Sequence, residues 1–394
     1  MNLDAIQAAL REAGHDGWLF YDHHHRDPIG ERILGLDPKA HITRRWYYFI
    51  PAAGEPRKLV HRIEQGRLDT LPGSKGLYSS WQELSAGLEA MLRPVRRIAM
   101  QYSPNNAIMY VSMTDAGTVE FLRGLGKQIV SSADLVSVFE AVLTAGQIAS
   151  HSVAQKAIDE LLAEGWKEIG RRLRPAKGKK PGTYTEFDHQ QWLSEAMRRA
   201  GLVWENGPDV SVNANTSDSH YNPTAEHCSP IKEGDFLLVD IWGRTDEATS
   251  VYYDITWTGV VGREPTEREE LIFSTVRDAR DAAIAAVEAA FAAGRLMCGY
   301  EADDAARAVI RGAGFGEFFT HRTGHNIAHE IHGPGAHLDN LETHDERLLL
   351  PNTCFSVEPG IYLPEFGVRS EIDMMATPGK AWVTGKIQYE LVRI

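Results

Sequence analysis

The sequence predicts an α+β protein of two domains, a smaller α/β domain over residues 1–145 and a larger domain over residues 146–394. Three observations favour this organisation. The chain has 394 residues, more than one ordinary hydrophobic core organises. Short apolar strands alternate with helical patterns in the first third, which is typical of mixed α/β domains. In the second part, two pairs of apolar strands carry carboxylates, which are rare in buried strands.

The N-terminal domain is predicted to begin with a helix over residues 3–13, because apolar side chains recur there at helical spacing and Gly14 follows as a stop. The other predicted elements of this domain are strands over 17–21, 45–50, 97–100 and 128–130, with helices over 80–92 and from 133 onward. Strands and helices therefore alternate up to about residue 145.

Two polar stretches of this domain are candidates for chemistry. Asp22–Asp27 contains three consecutive histidines, but successive side chains of an extended strand point to opposite faces and cannot all reach one ion. We therefore favour a polar loop there over a metal site. Arg44 and Arg45 are candidates for contact with an anion such as a substrate carboxylate. The alternative is an exposed pair beside a packed Trp46.

Composition excludes several classes of function. The apolar content of 43% and the charged content of 24% are typical of soluble globular proteins. A formal charge of −13 argues against nucleic acid or an anionic membrane as the main partner. The apolar runs are too short to span a membrane, and the N-terminus lacks signal-peptide features. The three cysteines have no paired spacing, which argues against disulfides and thiolate zinc sites. We expect a cytoplasmic enzyme.

The second domain is predicted to begin with an amphipathic helix over residues 147–173. Residues 174–182 form a basic stretch rich in Pro and Gly, interpreted as a solvated connection rather than a nucleic-acid patch. Further helices are predicted over 185–200, 267–293 and 302–312.

Two predicted hairpins place carboxylates on apolar strands. The first hairpin, residues 236–242 and 251–258, carries Asp240 and Asp254. The second, residues 355–359 and 368–375, carries Glu358 and Glu371. Ionised carboxylates that face one pocket repel each other unless a cation lies between them. The alternative is that the glutamates point to solvent from an edge strand.

A cluster of four histidines adds a further candidate ligand: His321, His325, His329 and His332. Their spacing differs from the His-Glu-x-x-His pattern of helical zinc sites. A single histidine ligand combined with distant carboxylates is therefore the better interpretation. Gly324 would allow close approach of the backbone beside it.

The order of candidate residues resembles the ligand set of the pita-bread metallopeptidases, and among these the prolidase, aminopeptidase P and creatinase group. The matching segments are Leu-Leu-Val-Asp240, Tyr-Asp254-Ile-Thr, His321-Arg-Thr-Gly-His325, Val-Glu358-Pro-Gly-Ile-Tyr and Gly-Val-Arg369-Ser-Glu371. The resemblance covers about residues 147–394. It implies a pita-bread (creatinase/aminopeptidase-like) domain, preceded by a creatinase-type α/β domain.

The resemblance also implies a site for two divalent ions. Asp240 would chelate one ion, Asp254 and Glu371 would bridge both, and His325 and Glu358 would hold the other. Four carboxylates formally balance two divalent cations, which explains how such a charge cluster can be buried. Oxygen-rich ligation with one imidazole suits Mn²⁺ best, with Co²⁺, Zn²⁺ and Fe²⁺ as alternatives.

The activity that the resemblance implies is hydrolysis of Xaa-Pro bonds in a dipeptide or short peptide with proline at its second position. A hydroxide bridging the metals would attack the carbonyl, and Glu358 would carry the proton to the leaving nitrogen. The dipeptidase (prolidase) reaction is favoured over aminopeptidase P. A homodimer is usual in families of this kind.

Four further residues match substrate-side positions of the family. His220 would lie beside the scissile carbonyl or stabilise the intermediate, and His332 would contact the carbonyl or carboxylate on the proline side. His321 would line the proline pocket. Arg369 would hold Asp240 in place and is a further candidate for substrate contact. For each residue the alternative is a role in packing or helix capping.

Departures from the family pattern leave the substrate open. Trp257 stands where an arginine is frequent, and Gly333 where an acidic residue is common. One alternative is the same fold and metal site acting on another small substrate, as a creatinase-like C–N hydrolase or a lyase. The other is a catalytically inactive binding module, which the complete set of ligand residues disfavours.

Overall fold

The computed structural model describes residues 1–174 and 182–394, and residue contacts divide the chain into two compact units, Met1–Glu140 and Ala141–Ile394. Most of the predicted basic connection, residues 175–181, lies outside the described residues. Within the described ranges, no helix combines the length and the apolar character that crossing a membrane requires.

The first unit contains one mixed sheet with helices packed on both faces. Its strands are β1 (Gly17–Asp22), β2 (Trp46–Pro51), β3 (Arg57–His61), β4 (Ser74–Tyr78), β5 (Arg97–Met100) and β6 (Gln128–Ser131). Its helices are α1 (Leu3–Glu12), α2 (Pro28–Leu34), α3 (Trp81–Leu92), α4 (Ala116–Gly124) and α5 (Ala133–Val136). The spatial order is β4-β3-β2-β1-β5-β6, with β1 antiparallel to β2 and parallel to β5.

Alternation along β1 divides the apolar core of this unit between the two faces of the sheet. Trp18 and Phe20 pack in one cluster with Ile29 of α2. Leu19 packs in a second cluster on the other face, with Leu122 of α4. The structure confirms the predicted strands to within two residues. The sequence analysis missed β3, β4, α2 and α4, because these elements are short and partly polar.

The second unit contains larger helices and several short sheets. Its helices are α6 (Ala145–Leu173), α7 (Glu186–Arg199), α8 (Glu267–Ala292) and α9 (Gly299–Gly312). Its strands are β7 (Leu202–Val203), β8 (Asp209–Val212), β9 (Phe236–Thr245), β10 (Tyr253–Val260), β11 (Asn326–Ile327), β12 (Cys354–Val357), β13 (Gly360–Tyr362), β14 (Gly367–Arg369), β15 (Ile372–Thr377), β16 (Lys380–Thr384) and β17 (Val392–Arg393).

Pairing arranges these strands into three sheets. One has the order β17-β10-β9-β7, with β8 also paired to β9; another has the order β11-β12-β15-β16; and β13 pairs with β14. Two of the long helices begin at capping boxes that the sequence encodes, Thr144 with Gln147 and Thr266 with Glu269. These caps fix where α6 and α8 start.

Alternation along the central strands separates apolar from polar faces. Val239 and Ile241 of β9 and Ile255 of β10 pack in a cluster with helices α6 and α7. Ile372 and Met374 of β15 pack in another cluster with α8 and α9. Because neighbouring residues of a strand point to opposite faces, residues 240, 254, 256 and 373 face away from these clusters. The polar residues therefore face a common space between two apolar cores.

The predicted strand over 368–375 is wrong in one respect, because Ser370 and Glu371 interrupt it. β14 ends before them and pairs with β13, and β15 begins after them and pairs with β12. The Ser370 hydroxyl accepts a hydrogen bond from Nη1 of Arg280 at 2.7 Å. The backbone N–H of Glu371 donates to the carbonyl of Thr256 on β10 at 3.2 Å. The interruption therefore brings Glu371 onto a strand of another sheet.

We predict that Arg280→Met lowers the free energy of unfolding by about 2–4 kcal/mol. Arg280 is fully buried and donates to Ser370 and to the carbonyl of Gln388, so methionine leaves both acceptors without a donor. Urea denaturation measures the change. The control is Arg277→Met one turn earlier, at a partly exposed side chain paired with Asp278. It should cost less than about 1 kcal/mol, and equal effects of the two variants would contradict the expectation.

Candidate metal centre

The predicted carboxylates and His325 meet on the polar faces of the second unit. Asp240 lies opposite Thr256 in the β9–β10 register, and Asp254 lies two residues before Thr256, so both carboxylates share one face of this strand pair. An oxygen of Asp254, a nitrogen of His325 and an oxygen of Glu371 all lie within 4.8 Å of one another. All three side chains are buried.

One nitrogen of the His325 ring faces carboxylate oxygens. Its Nε2 lies 3.4 Å from Oε1 of Glu358 and 3.7 Å from Oδ2 of Asp254. Its Nδ1 lies 3.3 Å from the carbonyl of Asn326, an acceptor that requires the hydrogen on Nδ1. Burial lowers the pKa of His325 well below its ordinary value, so the ring is neutral. The lone pair of Nε2 then faces carboxylate oxygens, an arrangement that a cation between them would stabilise.

A chain of hydrogen bonds through Arg369 and Thr256 connects the carboxylates of Asp240 and Glu371. Arg369 is buried, and its Nη2 donates to Oδ2 of Asp240. Its Nε donates to the hydroxyl of Thr256 at 3.1 Å, and that hydroxyl donates to Oε2 of Glu371 at 2.6 Å. Because Thr256 accepts on one side and donates on the other, it orients Arg369 and Glu371 together. The sequence analysis quoted this threonine within a motif but gave it no role.

Several buried carboxylate oxygens have no hydrogen-bond partner among the described residues. They are the Oδ1 atoms of Asp209, Asp240, Asp254 and Asp373. Burial, followed by the charges of neighbouring carboxylates, raises the pKa of Asp254 and of Glu371 well above the ordinary values. Unsatisfied oxygens beside a neutral imidazole are ligands that divalent cations accept. The residues present therefore fit a metal centre.

Two of these aspartates were not predicted from the sequence. Asp373 accepts a hydrogen bond from the backbone N–H of Asp254 at 2.9 Å and so orients β10 at that residue. Its signal was available, since it interrupts the apolar run of β15 two residues after Glu371. Asp209 lies opposite Asp240 in the β8–β9 register. It follows a proline in a polar segment, and no sequence feature distinguishes it from a turn residue.

Two of the predicted substrate-side histidines, His332 and His220, differ in how they approach the candidate ligand His325. The His332 ring meets the His325 ring edge-on, with centroids 4.4 Å apart. His220 is exposed, and its charge contributes to lowering the pKa of His332, after burial and Arg322. The structure thus brings His332 against a candidate ligand and His220 within electrostatic reach of His332.

The remaining predicted histidine, His321, is held by hydrogen bonds. Its Nε2 lies 2.7 Å from the hydroxyl of Tyr362, and its Nδ1 lies 2.7 Å from the carbonyl of Arg322. The Tyr362 hydroxyl also lies 3.4 Å from Nη1 of Arg369. Burial lowers the pKa of His321 to about 3. His321 therefore lies within the network that reaches Asp240 through Arg369.

A buried glutamate anchors the loop that carries His220. Glu186, the first residue of α7, is fully buried. It accepts hydrogen bonds from the backbone N–H of Val212 at 2.7 Å, Nδ2 of Asn215 at 2.9 Å, the Tyr221 hydroxyl at 2.6 Å and the backbone N–H of Ser229 at 2.6 Å. Since Tyr221 follows His220 in the chain, these bonds restrict where His220 can lie. The sequence analysis missed this role, because a glutamate at a helix start indicates only a cap.

The histidine-rich segment of the first unit forms a hydrogen-bonded loop. Asp22 accepts hydrogen bonds from the backbone N–H groups of His25, Arg26 and Asp27. The His25 ring contacts Glu31 at 2.8 Å and the carbonyl of Ala40 at 2.7 Å. These contacts hold the loop together, and ligand atoms of Asp22, His25 and Glu31 also lie within 4.8 Å of one another.

Comparison with known proteins relates the second unit to one family. The family model described as metallopeptidase family M24 matches residues 149–378. A protein of Mycoplasma pneumoniae provisionally named as an Xaa-Pro aminopeptidase is 30% identical over 239 residues, 59% of this chain and 63% of that protein. The Xaa-Pro dipeptidase of Pyrococcus furiosus is 32% identical over 163 residues, 41% of this chain and 43% of that protein. The chain thus aligns with less than two thirds of either relative.

Solved structures share the fold of this protein over nearly the whole chain. The crystal structure of a dipeptidase from Mycobacterium ulcerans superimposes with a TM-score of 0.69 at 23% identity, covering 99% of this chain and 96% of that one. A prolidase from Thermococcus sibiricus superimposes with a TM-score of 0.65 at 20% identity, covering 100% and 98%. At these identities, the likeness concerns the fold alone.

We predict that Thr256→Val weakens binding of Mn²⁺ to the chelator-stripped protein by about 10–100-fold, because Glu371 loses its hydrogen-bond donor. Isothermal titration measures the affinity. Thr258→Val is the matched control on the same strand, since the buried Thr258 hydroxyl has no partner among the described residues. Equal affinities of the two variants would contradict the role given to Thr256.

Proposed function

The chain belongs to metallopeptidase family M24, which confirms the predicted family resemblance, and we propose that it is a metal-dependent peptidase that cleaves Xaa-Pro bonds. The observation that carries this proposal is the buried group of Asp254, His325 and Glu371, together with carboxylate oxygens that have no hydrogen-bond partner in the described part of the chain. Relatives named as Xaa-Pro dipeptidase and Xaa-Pro aminopeptidase support the preference for proline. Between these, the dipeptidase reaction is favoured.

The ligands we propose for two divalent cations are Asp240, Asp254, His325, Glu358 and Glu371. Mn²⁺ suits this oxygen-rich set best, with Co²⁺, Zn²⁺ and Fe²⁺ as alternatives. Bound there, the cations would make a water more acidic and polarise the scissile carbonyl. Arg369 takes one oxygen of Asp240 and leaves the other available, which supports Asp240 as a ligand.

Glu358 is the carboxylate that we propose for proton transfer. It follows β12, and 15% of its side chain is exposed, so a substrate can reach it. The hydroxyl of Ser356 lies 3.2 Å from its Oε1, which orients the carboxylate. A proline nitrogen has no hydrogen in a peptide bond and must gain a proton to leave. Glu358 would take a proton from the attacking water and give it to this nitrogen.

The histidines are proposed as the substrate-side groups. His332 lies against His325 and would contact the carbonyl or carboxylate on the proline side of the substrate. His220 would lie beside the scissile carbonyl. His321, held by Tyr362, would line the proline pocket. Arg369 is engaged with Asp240 and Thr256, which favours its positioning role, and its contact with substrate stays a prediction. We assign this chemistry to a domain over residues 146–394, preceded by one over 1–145.

A peptide panel in Mn²⁺-containing buffer tests the function. We expect cleavage of Ala-Pro and Gly-Pro and slower cleavage of Ala-Pro-Ala, because a dipeptidase pairs both charged ends of its substrate. Release of free amino acids is measured by chromatography. Preference for Ala-Pro-Ala would indicate an aminopeptidase, and failure to cleave any of the three would contradict the proposed function in favour of another small substrate.

We predict that Asp254→Asn removes metal and activity together, because the change deletes a charge from the buried group. Activity on Ala-Pro should fall by at least about a thousandfold, a loss of about 4 kcal/mol of transition-state stabilisation. Metal analysis and kinetics of the same sample measure both losses. Asp246→Asn, at an exposed turn of the same hairpin, is the control and should change neither. A fully active Asp254→Asn variant with its full metal content would refute the assignment.

A further inference from the structure

A cavity of about 510 Å³ lies in the first unit, beside the carboxyl end of β1 and the start of β2. β1 leads into α2 on one face of the sheet, whereas β5, its parallel neighbour, leads into α4 on the other face. In open α/β sheets, ligands bind outside the carboxyl ends of strands where successive connections diverge in this way. The volume is also within the range of small-molecule sites.

Four of the eleven residues that line this cavity are aromatic. Tyr21 and Tyr47 lie directly opposite each other in the β1–β2 register, with rings stacked at 4.9 Å between centroids. Trp81 at the start of α3 and Phe121 on α4 also line the cavity. Trp81 is 72% exposed and Phe121 is 38% exposed. Large aromatic side chains that line a cavity while remaining exposed indicate a contact surface rather than a packed core.

One charged group of the cavity, the guanidinium of Arg45, is available for an ion pair. The Asp115 carboxylate also lines the cavity, and its oxygens already accept hydrogen bonds from the backbone N–H and the hydroxyl of Thr118, both at 2.9 Å. Arg45 also lines it and is exposed, and its guanidinium has no ion-pair partner among the described residues. The neighbouring Arg44 instead donates to Thr43 and does not line the cavity. The two arginines that the sequence analysis considered together therefore have different environments.

We propose that this cavity is a binding site for a small carboxylate that carries a flat apolar ring. The carboxylate would pair with the Arg45 guanidinium, whose planar donors match its geometry. The ring would lie against Trp81 and Phe121, above the Tyr21–Tyr47 pair. Free aromatic acids and the C-terminal aromatic residue of a peptide share this chemistry. The site lies wholly within the first unit and does not depend on the proposed peptidase activity.

Calorimetric titration of the full chain with N-acetyl-phenylalanine tests the proposal, with N-acetyl-phenylalaninamide as the ligand that lacks only the charge. We expect saturable binding of the acid, at least about tenfold tighter than the amide. Arg45→Gln should abolish this preference, Arg44→Gln should keep it, and Trp81→Ala should weaken both ligands. All three residues are exposed at the surface, so circular dichroism should show all three variants folded.

Ala-Gly-Gly-Phe, titrated in parallel, distinguishes the sources: comparable affinity would assign the site to peptide C-termini, and much weaker affinity to free acids. Absence of saturable binding of both the acid and the peptide up to 10 mM, about the weakest affinity expected of a specific site, would overturn the proposal. So would equal affinity for acid and amide in the wild type. Sedimentation of wild type and Trp81→Ala adds one more check: a fall in mass would show that a second copy covers the cavity, which would also overturn it.

Discussion

Mutual repulsion among buried carboxylates is the constraint on which the second unit depends. Asp240, Asp254 and Glu371 lie in the interior, where Arg369 donates a hydrogen bond to Asp240. Alternation leaves no other place for Asp240 and Asp254, because the opposite faces of β9 and β10 pack against the apolar faces of α6 and α7. The sheet of β9 and β10 buries its apolar face against one core, and the sheet of β15 buries its apolar face against another. The polar faces of the two sheets are therefore turned toward each other. Compensation of that charge is therefore a requirement of the fold as well as of any chemistry.

The surrounding contacts convert this requirement into a defined geometry. Arg369 and Thr256 fix Asp240 and Glu371 relative to each other, and Asp373 fixes the backbone at Asp254. The interruption of the strand at Ser370, held by Arg280 of α8, is what allows Glu371 to reach β10. A continuous strand would have kept Glu371 within the β12–β15 ladder. Residues that are distant in the sequence from the proposed ligands thus determine whether these ligands lie close together.

Much of this arrangement could be predicted from the sequence, and the misses have physical reasons. Asp240 and Asp254 were identifiable because carboxylates are rare in apolar strands. The strand break at Ser370 was not, since it depends on Arg280, ninety positions away in the sequence. Thr256 was unremarkable as a strand residue until the register placed it opposite Asp240. Sequence patterns predict which residues are out of place, whereas pairing between distant strands determines what they contact.

The most direct test of the account is the metal content of the protein purified without chelators and dialysed against metal-free buffer. Elemental analysis by mass spectrometry, scaled to protein concentration, gives the number of divalent ions per chain. The proposed site predicts two, since four carboxylates formally balance two divalent cations. A content well below two in a folded sample, not raised by adding Mn²⁺ before dialysis, would contradict the claim that cations hold this carboxylate group together.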